Sequence, residues 1–179
     1  GVFMLGSSRI PYILAVSMLS LVVATAMAFL LQDVYQPTEF LTYRLSMSLQ
    51  NGHGLVYNPG DDTLTTLTPV LPLLLSLMPT NPHIAANVIF ILAITGSAGL
   101  LAHTLVTTAT LSPIQSITII SVILVAWPLW ADFRGTSAPG FLLILIAYLQ
   151  SKERRWVLSG IITAVAILTD LHIVIPGLM

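Results

Sequence analysis

Residues 10–31 read IPYILAVSMLSLVVATAMAFLL, without a single charged side chain. About 20 apolar residues in helical conformation cross the hydrocarbon core of a bilayer, so this stretch decides the fold class. A secretory signal carries an apolar region of only about 7–15 residues. The run exceeds that, although Ala24-Thr25-Ala26 has the small-residue pattern of a cleavage site. Four more stretches follow the same logic: Ile84–Thr108, Ile114–Ala131, the short Pro139–Gln150, and Trp156–Ile175, interrupted near its end by Asp170 and His172. The expected fold is therefore all-α and transmembrane, with about five spans in a single module covering residues 1–179.

The composition points the same way. Hydrophobic residues make up 56% of the chain and charged residues 7%, whereas a soluble domain averages about 25% charged. So little charge cannot cover a water-facing surface. The net charge of −1 provides no basic footprint, so nucleic acid is excluded as a partner. Cysteine is absent, which rules out disulfides and thiol catalysis.

Leu67–Met78 (LTPVLPLLLSLM) is apolar but short, covering roughly 18 Å as a helix. Prolines at 69, 72, 79 and 82 break its regularity. It reads as a re-entrant or interfacial helix within residues 67–82. Cytoplasmic loops are enriched in Lys and Arg. Five spans put Arg9 and Lys152-Glu153-Arg154-Arg155 inside, and Asp33, Glu39, Asp61, Asp62, Asp132 and Asp170 outside with Arg44, Arg134, His53 and His172. The long loop 32–66 then lies on the outer face. Within it, Pro37–Gln50 reads as a helix lying in the interface, with Phe40, Leu41, Leu45, Met47 and Leu49 on one broad face. Pro37 suits its first turn and Glu39 the positive end of its dipole. Gly52-His53-Gly54 ends it, and Asn58-Pro59-Gly60 forms a turn.

The stretch YRLSMSLQNGHGLVYNPGDDTLTTLTPVLPLLLSLM resembles the first outer loop of GT-C-type glycosyltransferases, relatives of the dolichyl-phosphate-mannose–protein mannosyltransferases. The matching positions are Arg44, Gly52, Gly54, Leu55, Val56, Tyr57, Asn58, Pro59, Gly60, Asp61, Thr68 and Pro69. The later run from Trp127 to His172 resembles that family's fourth-to-sixth-helix region. The resemblance spans about Ile10 to Met179. Such proteins are usually several times longer, so the chain would correspond to their N-terminal membrane module. The resemblance implies a bacterial cytoplasmic membrane protein whose donor substrate, if it is active, is a polyprenyl-phosphate sugar; in that family outer-face acids serve as general base and hold a metal or the donor phosphate, whereas no metal and no cofactor are expected for this chain.

The chain departs from that family at its acids. The aspartate pair falls on Pro37 and Thr38, the glutamate of the G-M-E-T-like motif on Ser137, and the T-R-P-acid helix end reads Thr169-Asp170-Leu171-His172. Removing a general base typically removes about 10²–10⁴ of rate. Two functions follow. The first is a catalytically degenerate accessory or structural subunit bound to other membrane proteins in a larger complex. The second is the N-terminal part of an active transferase acting on an outer-face acceptor. In the second, Asp33 or Glu39 would be the catalytic base, and Arg44, Arg134, Asp170 and His172 would bind substrate. His83 and His103 flank one helix about 30 Å apart, too far to share a haem iron. Gly96, Ser97, Gly99 and Ala102 form a small-residue face suited to close helix packing.

Overall fold

A computed structural model of the chain describes residues 9–30, 37–58, 60, 68–107, 111–126 and 137–169. These form seven helices and no strand. They are α1 (Arg9–Leu30), α2 (Pro37–Gln50), α3 (Val70–Ser76), α4 (Pro82–Thr107), α5 (Pro113–Ala126), α6 (Ser137–Lys152) and α7 (Trp156–Thr169). Each apolar stretch contains a helix. Among the described residues, α1 and α4 are long and apolar enough to cross a membrane. At 14, 16 and 14 residues, α5, α6 and α7 fall short of the roughly 20 needed.

Local chemistry sets the helix ends. Three helices, α2, α4 and α5, open on proline, whose fixed φ suits a first turn that needs no N–H partner. Asn81 caps α4: its Oδ1 accepts the His83 amide at 3.0 Å. Ser112 and Gln115 form a capping box on α5. The Ser112 amide donates to Gln115 Oε1 at 3.0 Å, and the Gln115 amide donates back to Ser112 Oγ at 3.3 Å. Two helices close in paired 6→1 and 5→2 bonds. On α2 these run from His53 N to Ser48 O and from Gly52 N to Leu49 O, with Gly52 at φ 78°. On α6 they run from Arg155 N to Gln150 O and from Arg154 N to Ser151 O, with Arg154 itself at φ 61°. The basic turn 152–155 is thus a tight helical hairpin, and Ser159 Oγ donates across it to Ala147 O at 2.9 Å.

Helix α4 is the hub, packing against α1, α5 and α6. Its inner face is small: Ala93, Ala98 and Ala102 meet Val16, Ala24 and Ala28 of α1. Small residues let backbones approach closely where lipid offers no hydrophobic drive. An atom at the Cβ position of Gly99 would lie 2.7 Å from Ser17 Oγ, and one at Gly96 3.2 Å from Leu142 Cδ1. The expected small-residue face is therefore already used inside the bundle. A second core joins α2 and α3 to the start of α4 through Tyr43, Leu71, Leu75, Ala85 and Ala86.

Helix α3 has 7 residues, about 10 Å of helix, shorter than the apolar run that contains it. The prolines account for this: Pro69 directly precedes it and Pro79 follows soon after. Gln50 of α2 closes its end, with Nε2 donating to Met78 O at 3.2 Å and Leu75 O at 3.4 Å.

Helix α2 forms over the expected residues, but its apolar residues do not share one face. Leu45 is buried, whereas Phe40 and Met47 are exposed beside Arg44. The buried face carries Glu39, Thr42 and Ser46 with Tyr43 and Leu45. Ser46 tolerates burial because its Oγ donates to Tyr43 O at 2.8 Å.

Candidate functional site

Residues 40, 44 and 47 fall three and four apart on α2, so they share one face. This face forms one wall of a 330 Å³ cleft lined by Phe40, Tyr43, Arg44, Met47, Ser48, Asn51, His53, Tyr57 and His83. The segment after the helix forms the second wall. Arg44 ties it down: Nε donates to Tyr57 O at 3.0 Å, Nη2 donates to Asn58 Oδ1 at 3.1 Å, and the guanidinium lies 4.2 Å from the Tyr57 ring centroid. The start of α4 supplies the third wall. There His83 meets Tyr43 edge-on, with ring centroids 4.3 Å apart.

The helix closure explains one pairing. The 6→1 bond from His53 N to Ser48 O, 3.0 Å long, folds the chain back so that both residues face the cleft. Gly52 allows this because its φ of 78° would strain any side chain. Ser48 is only 9% exposed, and its Oγ has no hydrogen-bond partner among the described residues.

A second cleft adjoins the first, sharing Met47 and His83 with it. It is lined further by Gln50, Ser76, Leu77, Met78, Pro79, Thr80, Asn81 and Pro82. Together the two make a groove under α2 in which apolar side chains alternate with Arg44, Ser48, Asn51 and His53 at one end and with Gln50, Ser76, Thr80 and Asn81 at the other. Among the described residues no carboxylate lines either cleft, and no cluster has a metal-ligand set.

Of the residues singled out from sequence, Arg44 lines the cleft. Glu39 is 2% exposed, engages a partner within the fold, and is not among the cleft-lining residues. Five residues separate it from Arg44, which turns it about 140° round the helix. Asp33, Arg134, Asp170 and His172 lie outside the described residues. Sequence reasoning did not single out Ser48, and it weighed His53 only for its side of the membrane and His83 only against haem. The glycine at 52 was the available signal for the Ser48–His53 pairing. Nothing in the sequence announced that His83, thirty positions away, would join them.

The described architecture is an all-helical assembly with two candidate membrane-crossing helices. No protein-family model, no curated protein and no solved structure matches the chain.

Proposed function

We propose that the chain is an integral membrane protein acting as a catalytically degenerate, GT-C-like accessory subunit of a larger membrane complex. The observation that carries this reading is the apolar surface left over after the helices pack. Only 22% of the apolar window of α1 and 39% of that of α4 is buried within the chain. Leu14, Met18 and Val22 make a continuous outward stripe on α1, at 58%, 64% and 66% exposure. Ile84, Val88 and Leu92 make another on α4. Exposed patches of this kind mark contact with lipid or with another protein. Five spans, with the cleft outside and the 152–155 turn inside, suit both the charge segregation and the packing. The buried residues of α7, Ala166 and Thr169, lie at its C-terminal end, and α7 packs on α3.

The burial of Glu39 and its angle from Arg44 support the non-catalytic form. An acid and an arginine serving one donor must touch the same reacting centre. The alternative is the N-terminal part of an active polyprenyl-phosphate-dependent transferase, with Asp33 as its remaining base.

Extraction in mild detergent followed by size-exclusion chromatography with light scattering tests the subunit reading. The expected particle is larger than the monomer, contains a stoichiometric second membrane protein, and dissociates on Met18→Trp. A stable, monodisperse monomer with no companion would overturn the reading and return weight to the transferase.

A further inference from the structure

We infer that the α6–α7 turn is a binding site for an anionic phospholipid, its headgroup held by Lys152, Arg154 and Arg155 and an acyl chain lying along the exposed face of α7. The inference rests on the membrane reading above and is independent of the subunit reading.

The charges of the turn are the first support. Residues 152–155 carry three cations and one carboxylate. Glu153 pairs with Arg155, at 3.4 Å between Oε2 and Nε. Among the described residues, the side chains of Lys152 and Arg154 have neither an ion-pair nor a hydrogen-bond partner. Lys152 Nζ lies 5.5 Å from the ring centroid of Tyr148, one turn earlier on α6. Trp156, 67% exposed, follows directly. Tyrosine and tryptophan favour the headgroup level of a bilayer, where lipid phosphates meet cations.

The backbone is the second. Arg154 has φ 61°. Glycine fills that left-handed position after a helix without steric cost, whereas a side chain there is unfavourable. A cation kept at such a position costs stability, a pattern found where the side chain has a use beyond folding. The bonds from Arg154 N to Ser151 O and from Arg155 N to Gln150 O fix the turn in this shape. Its cations are therefore presented before a ligand arrives, which lowers the ordering cost of binding.

The third is the apolar stripe that begins at the turn. Val157, Ile161, Val165 and Leu168 are exposed and recur at three- and four-residue spacing, so they share one face of α7. The stripe runs about 17 Å along the helix, close to the roughly 15 Å depth of one leaflet. Gly160 and Ala164 are exposed beside it. An atom at the Cβ position of Gly160 would meet nothing within 4 Å, so the stripe borders a shallow groove. The hydroxyls of Ser159 and Thr163 are turned to Ala147 O and Ser159 O, at 2.9 and 2.8 Å, and leave the surface apolar. A free phosphate ion would not cover the stripe, and a zwitterionic lipid brings no net charge to the turn. A second copy packed here about a two-fold axis along the membrane normal would set one cationic turn against the other. An anionic lipid satisfies both ends at once.

The test uses the full chain in phosphatidylcholine vesicles, with Trp127→Phe and Trp130→Phe so that Trp156 is the sole indole. Quenching of Trp156 by brominated phosphatidylglycerol is compared with quenching by brominated phosphatidylcholine. The phosphatidylglycerol should be preferred at least about tenfold, and molar salt should lower that preference. Lys152→Gln and Arg154→Gly should each lower it about fivefold, the loss expected for one cation at the membrane surface. Arg154→Gly should melt no lower than its parent, because glycine suits the local φ, and this separates lipid contact from folding. Equal quenching by the two lipids, or an unchanged preference in both variants, would overturn the inference. Displacement of the lipid by millimolar inorganic phosphate would overturn it in favour of the free ion. A disulfide between copies at Ile161→Cys would overturn it in favour of a second copy. Quenching by neither lipid would refute the membrane reading and the inference with it.

Discussion

Leu71→Ala should destabilise the chain by about 3 kcal/mol and free α2 from the rest of the fold. Leu71 is fully buried in the cluster that joins Tyr43 of α2, Leu75 of α3 and Ala85 and Ala86 of α4. Truncating a buried leucine costs about 2–5 kcal/mol, from lost contacts plus the cavity left behind. Relaxation into that cavity is restricted, because α3 is held at one end by Pro69 and at the other by the Gln50 amide. The consequence reaches the cleft, since Tyr43 and His83 meet along the same seam. Hydrogen exchange of the amides in 39–53 should accelerate about a hundredfold, while α6 exchanges as before. Leu71→Ile, which conserves volume, should cost less than about 1.5 kcal/mol. Unchanged exchange in α2 would show that this cluster does not seat the helix.

The second large effect is at Gly99. An atom at its Cβ position lies 2.7 Å from Ser17 Oγ on α1. Alanine is tolerable, because the Ser17 hydroxyl can rotate away and replacing a helical glycine itself favours the helix. Leucine adds three more carbons on the side that faces Ser17 of α1 and should cost about 2–3 kcal/mol through overpacking. Thermal unfolding in detergent should give an ordered series: wild type and Gly99→Ala close together, Gly99→Leu well below. Equal stability of all three would mean that α1 and α4 are not in close contact. The result also bears on the partner question. Gly96 and Gly99 face Leu142 and Ser17 within the chain, so the surface left for another protein is the Leu14–Met18–Val22 stripe instead.

Much of the fold was legible because its signals are local. Charge-free runs located α1 and α4 to within two residues at each end, and Gly52 marked the end of α2. The face of α2 was harder. Apolarity alone groups Phe40, Leu45 and Met47, but Ser46 enters the interior by bonding its own helix, and Phe40 and Met47 turn outward with Arg44. That choice depends on what α3 and α4 offer, which no window on α2 contains. The cleft depends on the same tertiary information. The sequence places Arg44 with Arg134, Asp170 and His172 as substrate ligands of an active transferase. The cleft instead gives it Ser48, His53 and His83, contributed by a helix closure and by the start of another helix.

On the proposed five-span topology, the cleft and the 152–155 turn lie on opposite sides of a membrane. Ser48 is too buried to report on it, but Asn51 and Glu153 are both exposed. The chain has no cysteine of its own, so each can be replaced singly by cysteine without background. In intact spheroplasts, a membrane-impermeant maleimide should label Asn51→Cys fully and Glu153→Cys only after permeabilisation. Labelling of both from the same side, with or without permeabilisation, would contradict the account.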